Sequence, residues 1–385
     1  MPKVSNLNPI YFDHVSSTPV HPEVLKTLQE FYPIHYANAE ALHDGGKVIG
    51  TMVEASRGQV AKLLKVEPEW VTFTSGATEA NNAIIKGIAF ANAQRGKHMI
   101  TTSVEHSSVL DTYKQLEEDF GFDVTYLPVD GDGRIRPEDL KQALRPDTIL
   151  VSIMHVNNEI GTVMPVETCA KIIRDYSKAY FHTDEVQAIG KVPFDLSYVD
   201  AASLSAHKIN GVKGSGVMIL KPGVKILSLI SGGQQENGRR GGTANAIHNL
   251  LFGKTLRLAL DDQQDHIASV TALNQRLRQH LREMPNVVIN SPESEVSPFI
   301  LNFSVLNLTS EVLLNWFNAH GIYLSAQSTC NSKQHHPSIT LSAMKVSSKR
   351  LNGALRVGLS ALNTSDEIDR LVAVLQEGVA KYGRP

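Results

Sequence analysis

Between residues 70 and 221, short runs rich in β-branched and apolar residues alternate with longer stretches whose apolar positions recur every three or four residues. WVTF (70–73), HMITTS (98–103), FDVTYLPV (122–129), TILVSIMHV (148–156), AYFHTDEV (179–186) and GVMILK (216–221) predict strands. ATEANNAIIKGIAFANA (77–93), SVLDTYKQLEEDFG (108–121), RPEDLKQAL (136–144) and PVETCAKIIRDYSKA (165–179) predict helices between them. Near-continuous apolar runs such as ILVSIM (149–154) indicate burial on both faces, as in a parallel sheet covered by helices. Repeated strand-then-helix order predicts an α/β layered domain.

After about residue 244 the texture changes. Val270, Leu273, Leu277 and Leu281 recur at helical spacing, within a long helical region over 244–284. FILNFSV (299–305) places Phe299, Leu301, Phe303 and Val305 on one face and predicts a half-buried strand. The chain is therefore expected to form a large α/β domain over 1–262 and a smaller α+β domain over 263–385. The N-terminal dozen residues could join either.

Composition narrows the class. Of 385 residues, 42% are hydrophobic and 20% charged, ordinary for a globular protein. The 37 basic and 39 acidic side chains nearly cancel, which argues against nucleic acid as a partner. No apolar run approaches the ~20 residues of a membrane span, and MPKVSNLNPIYFDH lacks an apolar signal core. The two cysteines, Cys169 and Cys330, form no disulfide framework or zinc spacing, so a reducing cytoplasm is expected.

The chemistry gathers at predicted strand ends. SLSAHKINGVKGSG (203–216) sets Lys208 among small residues and glycines. Lys208 offers a Schiff-base amine, and Ser205 and His207 offer donors for a phosphate; alone, it also reads as a surface lysine in a glycine-rich turn. TSGATEANN (74–82) joins a strand to a helix, so the backbone N–H groups of Ala77 and Thr78 face an anion, although a plain helix cap uses the same residues. In FHTDEVQAIG (181–190), Asp184 can cap a helix or pair with a protonated pyridine nitrogen, and Gln187 can donate to a ring oxygen. His106, in SVEHSSV (103–109), can stack on a planar cofactor and move protons, or serve as a structural histidine. MHVNNEIG (154–161) places Asn158 at another strand end. Ligands of open α/β sheets bind at the carboxyl ends of strands. Together these groups supply an amine, a ring-nitrogen partner, a ring stacker and a phosphate cradle, the set that pyridoxal 5′-phosphate needs.

At this level of detail the chain resembles the cysteine desulfurases of the class V aminotransferase superfamily, typified by the NifS and IscS proteins. YFDHVSSTPVHP (11–22) resembles the family's Y-L-D-x-x-A-T-T-P, and NAEALHDGG (38–46) its N-P-S-S-x-H-x-x-G. FTSGATEANNAIIKG, VSIMHVNNEIG, HTDEVQAIGKVPFDL and SAHKINGVKGSG follow in order, and GGQQENGRRGGTAN (232–245) resembles G-G-x-Q-E-x-x-x-R-x-G-T-x-N. The resemblance runs nearly end to end. It implies the fold type I architecture of pyridoxal phosphate-dependent transferases, with a seven-stranded, mostly parallel sheet and a homodimer. It implies that Lys208 forms the Schiff base, Asp184 pairs with the pyridinium nitrogen, Gln187 bonds the phenolic oxygen and His106 stacks on the ring. Ala77, Thr78, Ser205 and His207 would hold the phosphate, with Thr243 reaching in from the second subunit. Asn158 and Arg356, in GALRVGLS, would position the substrate, Arg356 gripping its carboxylate.

Cys330, in SAQSTCNSKQHH (325–336), then resembles the persulfide-forming cysteine. The implied reaction converts L-cysteine to L-alanine, leaves sulfur on Cys330 and passes it to an acceptor protein; the thiolate is the competent nucleophile. The sequence departs from the usual S-S-G-S-A-C-x-S at Gln327 and Thr329, and elsewhere at Ala39, Glu185, Val186 and Asn210. Two alternatives stay open. One is a selenocysteine lyase, or another lyase or aminotransferase on this scaffold that does not use Cys330. The other is a metal-binding protein using Cys330, His335 and His336, which the spacing favours little. Cys169, in VETCAKIIRDY, reads as a small buried hydrophobe on a helix.

Overall fold

A computed structural model describes residues 9–326 and 337–383. Its strands are β1 (Ile10–Tyr11), β2 (Val71–Thr74), β3 (His98–Thr102), β4 (Asp123–Leu127), β5 (Thr148–Ser152), β6 (Tyr180–Asp184), β7 (Ala201–Ser205), β8 (Gly216–Leu220), β9 (Val287–Ile289), β10 (Ile300–Val305), β11 (Ile322–Tyr323) and β12 (Ala354–Gly358). Seven form one sheet in the order β2-β8-β7-β6-β5-β3-β4. All are parallel except β8, which runs antiparallel to both β2 and β7. The carboxyl ends of β2, β3, β5, β6 and β7 therefore share one edge, together with the start of β8.

Both faces of this sheet are covered. The helices Ala77–Asn92 and Ser107–Phe120 bury Ile84, Ile85, Ile88, Val109 and Leu116 against one face. Asp44–Leu64, Val166–Tyr176 and Ala246–Asp261 cover the other with Val60, Ile173, Phe252 and Leu256. Each such side chain contributes about 1.5–3 kcal/mol on burial, before the entropy of ordering it. This two-sided burial explains the unbroken apolar strands.

A second core surrounds the antiparallel sheet β12-β10-β9 and the helices Gln263–Arg282 and Ser365–Tyr382. Val270, Leu273, Leu277 and Leu281 all face it. The expected continuous helical region breaks at Asp262, where the backbone leaves helical geometry between Ala246–Asp261 and Gln263–Arg282. The strand at 299–305 also differs from expectation, because β10 is central and buried on both faces. Its polar positions are satisfied internally: Asn302 bonds Asn290 and the Glu159 carbonyl, and Ser304 donates to the Arg350 carbonyl. Apolar-polar alternation here marks paired polar groups rather than a wet face.

The N-terminal segment touches both cores. β1 pairs in parallel with β11, and Asp13 bridges to Gly358 at the end of β12. Thr18 then donates through its backbone N–H and hydroxyl to the His207 carbonyl, and the His21 N–H donates to the Asn210 carbonyl. Asn210 has a left-handed backbone (φ 66°), a conformation that asparagine tolerates better than an aromatic residue.

Candidate active site

At the shared sheet edge lies a cavity of about 690 Å³, lined by Ala77, Thr78, His106, Asn158, Asp184, Gln187, Ser205, His207, Lys208 and Arg356. Asp184 and Ser205 are the last residues of β6 and β7, whereas Ala77, Thr78, His106, Asn158, Gln187, His207 and Lys208 follow their strands by two to six residues, in the turns that cross the edge. Thr243 stands apart, exposed on a separate cleft of about 130 Å³ with Ser75 and Arg240. Cys330, with Gln327, Thr329, His335 and His336, lies outside the described residues.

Lys208 ends a short turn after β7, and its Nζ donates to the carbonyls of Val15 and Ser16 at 2.7 Å each. The Gln187 amide nitrogen donates to the same Val15 carbonyl at 3.1 Å. An amine and an amide N–H thus converge on one oxygen of the N-terminal segment.

Asp184 is buried at the end of β6. Its carboxylate accepts from Asn81 Nδ2 at 2.9 Å and from the Val186 N–H at 3.0 Å. Burial pushes its acidity weaker than usual, against the opposing pull of His106 and these donors. His106 caps the helix Ser107–Phe120, its Nδ1 accepting from the Ser108 N–H at 3.2 Å. Burial lowers its pKa while the Asp184 charge opposes that shift. The unusual Glu185 beside Asp184 meets His155 Nδ1 at 2.8 Å. Burial alone would lower the His155 pKa, but the Glu185 carboxylate outweighs it and raises the value.

The helix Ala77–Asn92 opens at Gly76, whose φ of 151° belongs to glycine and whose position carries no side-chain cap. Ala77 and Thr78 occupy its first turn, and the helix dipole favours an anion there. Ser205 and His207 face the same corner. Burial and the charges of Lys208 and Lys213 push His207 down to about 4, so it is neutral at pH 7. Glu79 is turned aside by Ser75 and an ion pair with Arg240 at 3.0 Å.

Arg356 is 2% exposed, with its guanidinium fixed on every side. Nε donates to Ser325 Oγ at 3.1 Å, Nη1 to the Asn158 carbonyl at 2.9 Å, and Nη2 to Asp13 at 3.2 Å and Ser16 Oγ at 2.8 Å. Such a clamp holds a planar cation ready for a carboxylate.

The residues fit pyridoxal phosphate: an amine, a buried carboxylate for the ring nitrogen, an imidazole and an uncapped helix start with hydroxyls face one space. Sequence reasoning missed Asp13, Asn81, Ser325 and Lys191. All four sit inside the motifs quoted above; the partners of Asp13, Asn81 and Ser325 are distant in sequence, whereas Lys191 meets Gln187 four residues away. Cys169 is buried as expected, and burial pushes its thiol up to about 12. Among the described residues, no group of three or more His, Cys, Asp or Glu side chains could hold a metal ion, and no helix is long and apolar enough to cross a membrane.

Known proteins share this arrangement. The aminotransferase class-V family model matches residues 10–371. The chain is 39% identical over 375 residues to the cysteine desulfurase IscS of Dictyoglomus turgidum, a match covering 97% of this chain and 95% of that protein. It is 41% identical over 372 residues to a NifS/IcsS protein homolog of Lactobacillus delbrueckii subsp. bulgaricus, covering 96% of each. Among solved structures, a NifS-like protein superposes with a TM-score of 0.91 at 36% identity, covering 97% of this chain and 100% of that one.

Proposed function

Since the chain belongs to the class V aminotransferase family, in its cysteine desulfurase branch, we propose that the cavity at the sheet edge desulfurates L-cysteine with Lys208, Asp184, His106, Arg356 and Cys330 in the working roles. The chain is a pyridoxal 5′-phosphate-dependent cysteine desulfurase. When bound, the cofactor supplies an electron sink conjugated to the substrate Cα. Lys208 would hold it through its amine, Asp184 would keep its ring nitrogen protonated, and Gln187 would donate to its phenolic oxygen. Thr78, Ser205, His207 and the Ala77 and Thr78 N–H groups would hold its phosphate.

The clustering of Lys208, Asp184 and Arg356 in one cavity is the observation that carries this reading. Arg356 binds the cysteine carboxylate, steered by Asn158. Lys208, once its amine is released, takes the Cα proton, and its contacts with Val15 and Ser16 hold it close to the edge. His106 would stack over the cofactor ring and relay a proton. Cys330, as thiolate, takes the substrate sulfur: an S–S bond forms, the substrate C–S bond breaks, and the carbon left behind is protonated to give L-alanine. The persulfide then passes to an acceptor protein.

The finer assignments extend the same reading. The enzyme works as a homodimer in the cytoplasm, without nucleic acid or membrane, and the partner subunit's Thr243 completes the phosphate cradle. The proposed division into units over 1–262 and 263–385 is supported by Phe252 and Leu256 packing in the first core and Val270 and Leu273 in the second.

The test gives purified holoenzyme L-cysteine and measures alanine and Cys330-bound sulfur. Lys208→Ala is expected to abolish both products. Cys330→Ala is expected to lose the persulfide and at least about a hundredfold in turnover, about 2.7 kcal/mol of barrier. Full turnover of Cys330→Ala on L-cysteine overturns the persulfide role, and a preference for selenocysteine moves the enzyme to the lyase reading.

A further inference from the structure

After β6 the chain passes through consecutive turns, with the Ala188 N–H on the Glu185 carbonyl, the Lys191 N–H on the Ala188 carbonyl and Gly190 left-handed at φ 72°. These turns bring Lys191 back against Gln187. Lys191 Nζ donates to Gln187 Oε1 at 2.8 Å, and Gln187 Nε2 donates to the Val15 carbonyl at 3.1 Å. Both residues are buried, Gln187 at 4% exposure and Lys191 at 7%.

These two contacts determine which way the amide points. The Val15 carbonyl can only accept, so it takes the NH₂ end; Lys191 donates in the observed contact, and while protonated can only donate, so it takes the oxygen end. Turning the amide by half a circle would set oxygen against oxygen and NH₂ against the ammonium, losing both bonds where water does not reach. Gln187 and Lys208 line the active-site cavity, and Lys208 also lines a neighbouring cavity of about 360 Å³ together with Lys191, His14 and Phe299.

We propose that Lys191 is a positioning residue, which acts through Gln187 by locking its amide so that it offers an N–H, and never its carbonyl, to the cofactor oxygen beside Lys208. The inference rests on the proposed seating of pyridoxal phosphate at Lys208. A purely structural role explains Lys191 poorly. Burial, with the nearby charges of Lys208 and Arg356, pushes its amine down to about 7, so the position disfavours a cation that an apolar side chain of similar length would avoid. His14, on the same cavity, is pushed down to about 4 by burial and by the Lys191 charge. The strain of placing an amine there is matched by one observed bond, the one to Gln187.

The consequence is electronic. An N–H on the phenolic oxygen stabilises its anion and weakens its hold on the proton shared with the Lys208 nitrogen. A carbonyl turned to that oxygen would do the reverse. The chromophore of the resting holoenzyme reports this proton directly, without turnover.

The experiment titrates the visible absorption of resting holoenzyme with pH in wild type, Lys191→Met, Lys191→Arg, Gln187→Leu and the Lys191→Met/Gln187→Leu pair. Lys191→Met is expected to raise the chromophore pKa by about half a unit or more, a threefold change in proton affinity. Lys191→Arg, which still donates, is expected to restore it at least in part. In the Gln187→Leu background, Lys191→Met is expected to add no further shift. An unchanged titration in Lys191→Met, or an equal shift in both backgrounds, overturns the proposal. If Lys191→Met fails to fold, Lys191→Arg and Gln187→Leu decide: a Gln187→Leu titration equal to wild type overturns it. Absence of visible absorption in wild type, or its persistence in Lys208→Ala, instead overturns the seating of the cofactor.

Discussion

Glu105 shows how much of the site's chemistry is set by single side chains beneath it. One of its oxygens accepts from Thr102 Oγ1 at 2.8 Å and from the Met154 N–H at 2.9 Å. Burial, reinforced slightly by the Asp184 charge, pushes its acid up to about 8, so it is protonated at neutral pH. The folded state thus keeps a proton that the unfolded chain releases from about pH 4.5 upward. The stability this proton contributes is full below pH 4.5 and is lost as pH rises toward 8, at up to about 1.4 kcal/mol per unit. Glu105→Gln keeps an acceptor for both bonds and has no proton to lose. Melting curves are expected to match wild type near pH 5 and to show the variant progressively more stable from pH 6 to 8; parallel curves would sink this account. Lys208, Asp184, His106 and Gln187 were legible in sequence because each is a reactive type at a strand end. Asn81 and Asp13 were not, because an amide on a helix and a carboxylate just after an N-terminal strand acquire their roles only from the distant groups they touch, Asp184 and Arg356.

At the scale of elements, the proposed phosphate cradle depends on how closely two chain segments meet. Gly216 opens β8 directly opposite Thr74 and Ser205. A Cβ there would lie 2.5 Å from Gly76 Cα and 2.8 Å from the Leu204 carbonyl. Glycine weakens a strand, so its place here reflects this close approach. Gly216→Ala is expected to push the Gly76 turn outward and displace the Ala77 and Thr78 N–H groups, at about 1–3 kcal/mol of overpacking. Cofactor titration should show affinity weakened about ten- to a hundredfold with an unaltered circular dichroism spectrum; wild-type affinity would contradict the geometry. Periodicity revealed most elements because burial imposes it. It misread β10 because Asn302 and Ser304 are paired internally, and it ran past Asp262 because residues on both sides favour helix. The left-handed turn at Asn210 was likewise visible only as a departure from the usual residue, until its backbone explained it.

For the whole molecule, the N-terminal segment joins two cores that would otherwise meet over a cavity. It gives a strand to β11, a carboxylate to Arg356, and carbonyls to Lys208 and Gln187. The chain's two tryptophans report on the two cores, since Trp70 packs on the first and Trp316 on the second. Unfolding of either core should open the site. In Trp70→Phe and Trp316→Phe variants, release of cofactor during denaturant titration is expected to coincide with the earlier fluorescence transition. Retention of cofactor through that transition would show that one core suffices. The domain contrast was legible from the change in texture near residue 244, but the strap between domains was not, since two-residue strands leave no periodic trace.

Asp13 and Arg356 are 343 residues apart in the chain, and their meeting sets a timetable for the newborn protein. At ordinary translation speeds of about 5–20 residues per second, the first partner waits roughly 20–70 s for the second to be made. The seven-stranded layer can assemble during that interval, whereas the Asp13–Arg356 side of the cavity cannot. Its earliest-made strand remains an unpaired edge until the last hundred residues arrive. A ribosome-bound chain can therefore carry Lys208, Asp184 and His106 on a folded shelf before Arg356, the proposed grip on the amino acid, has been made.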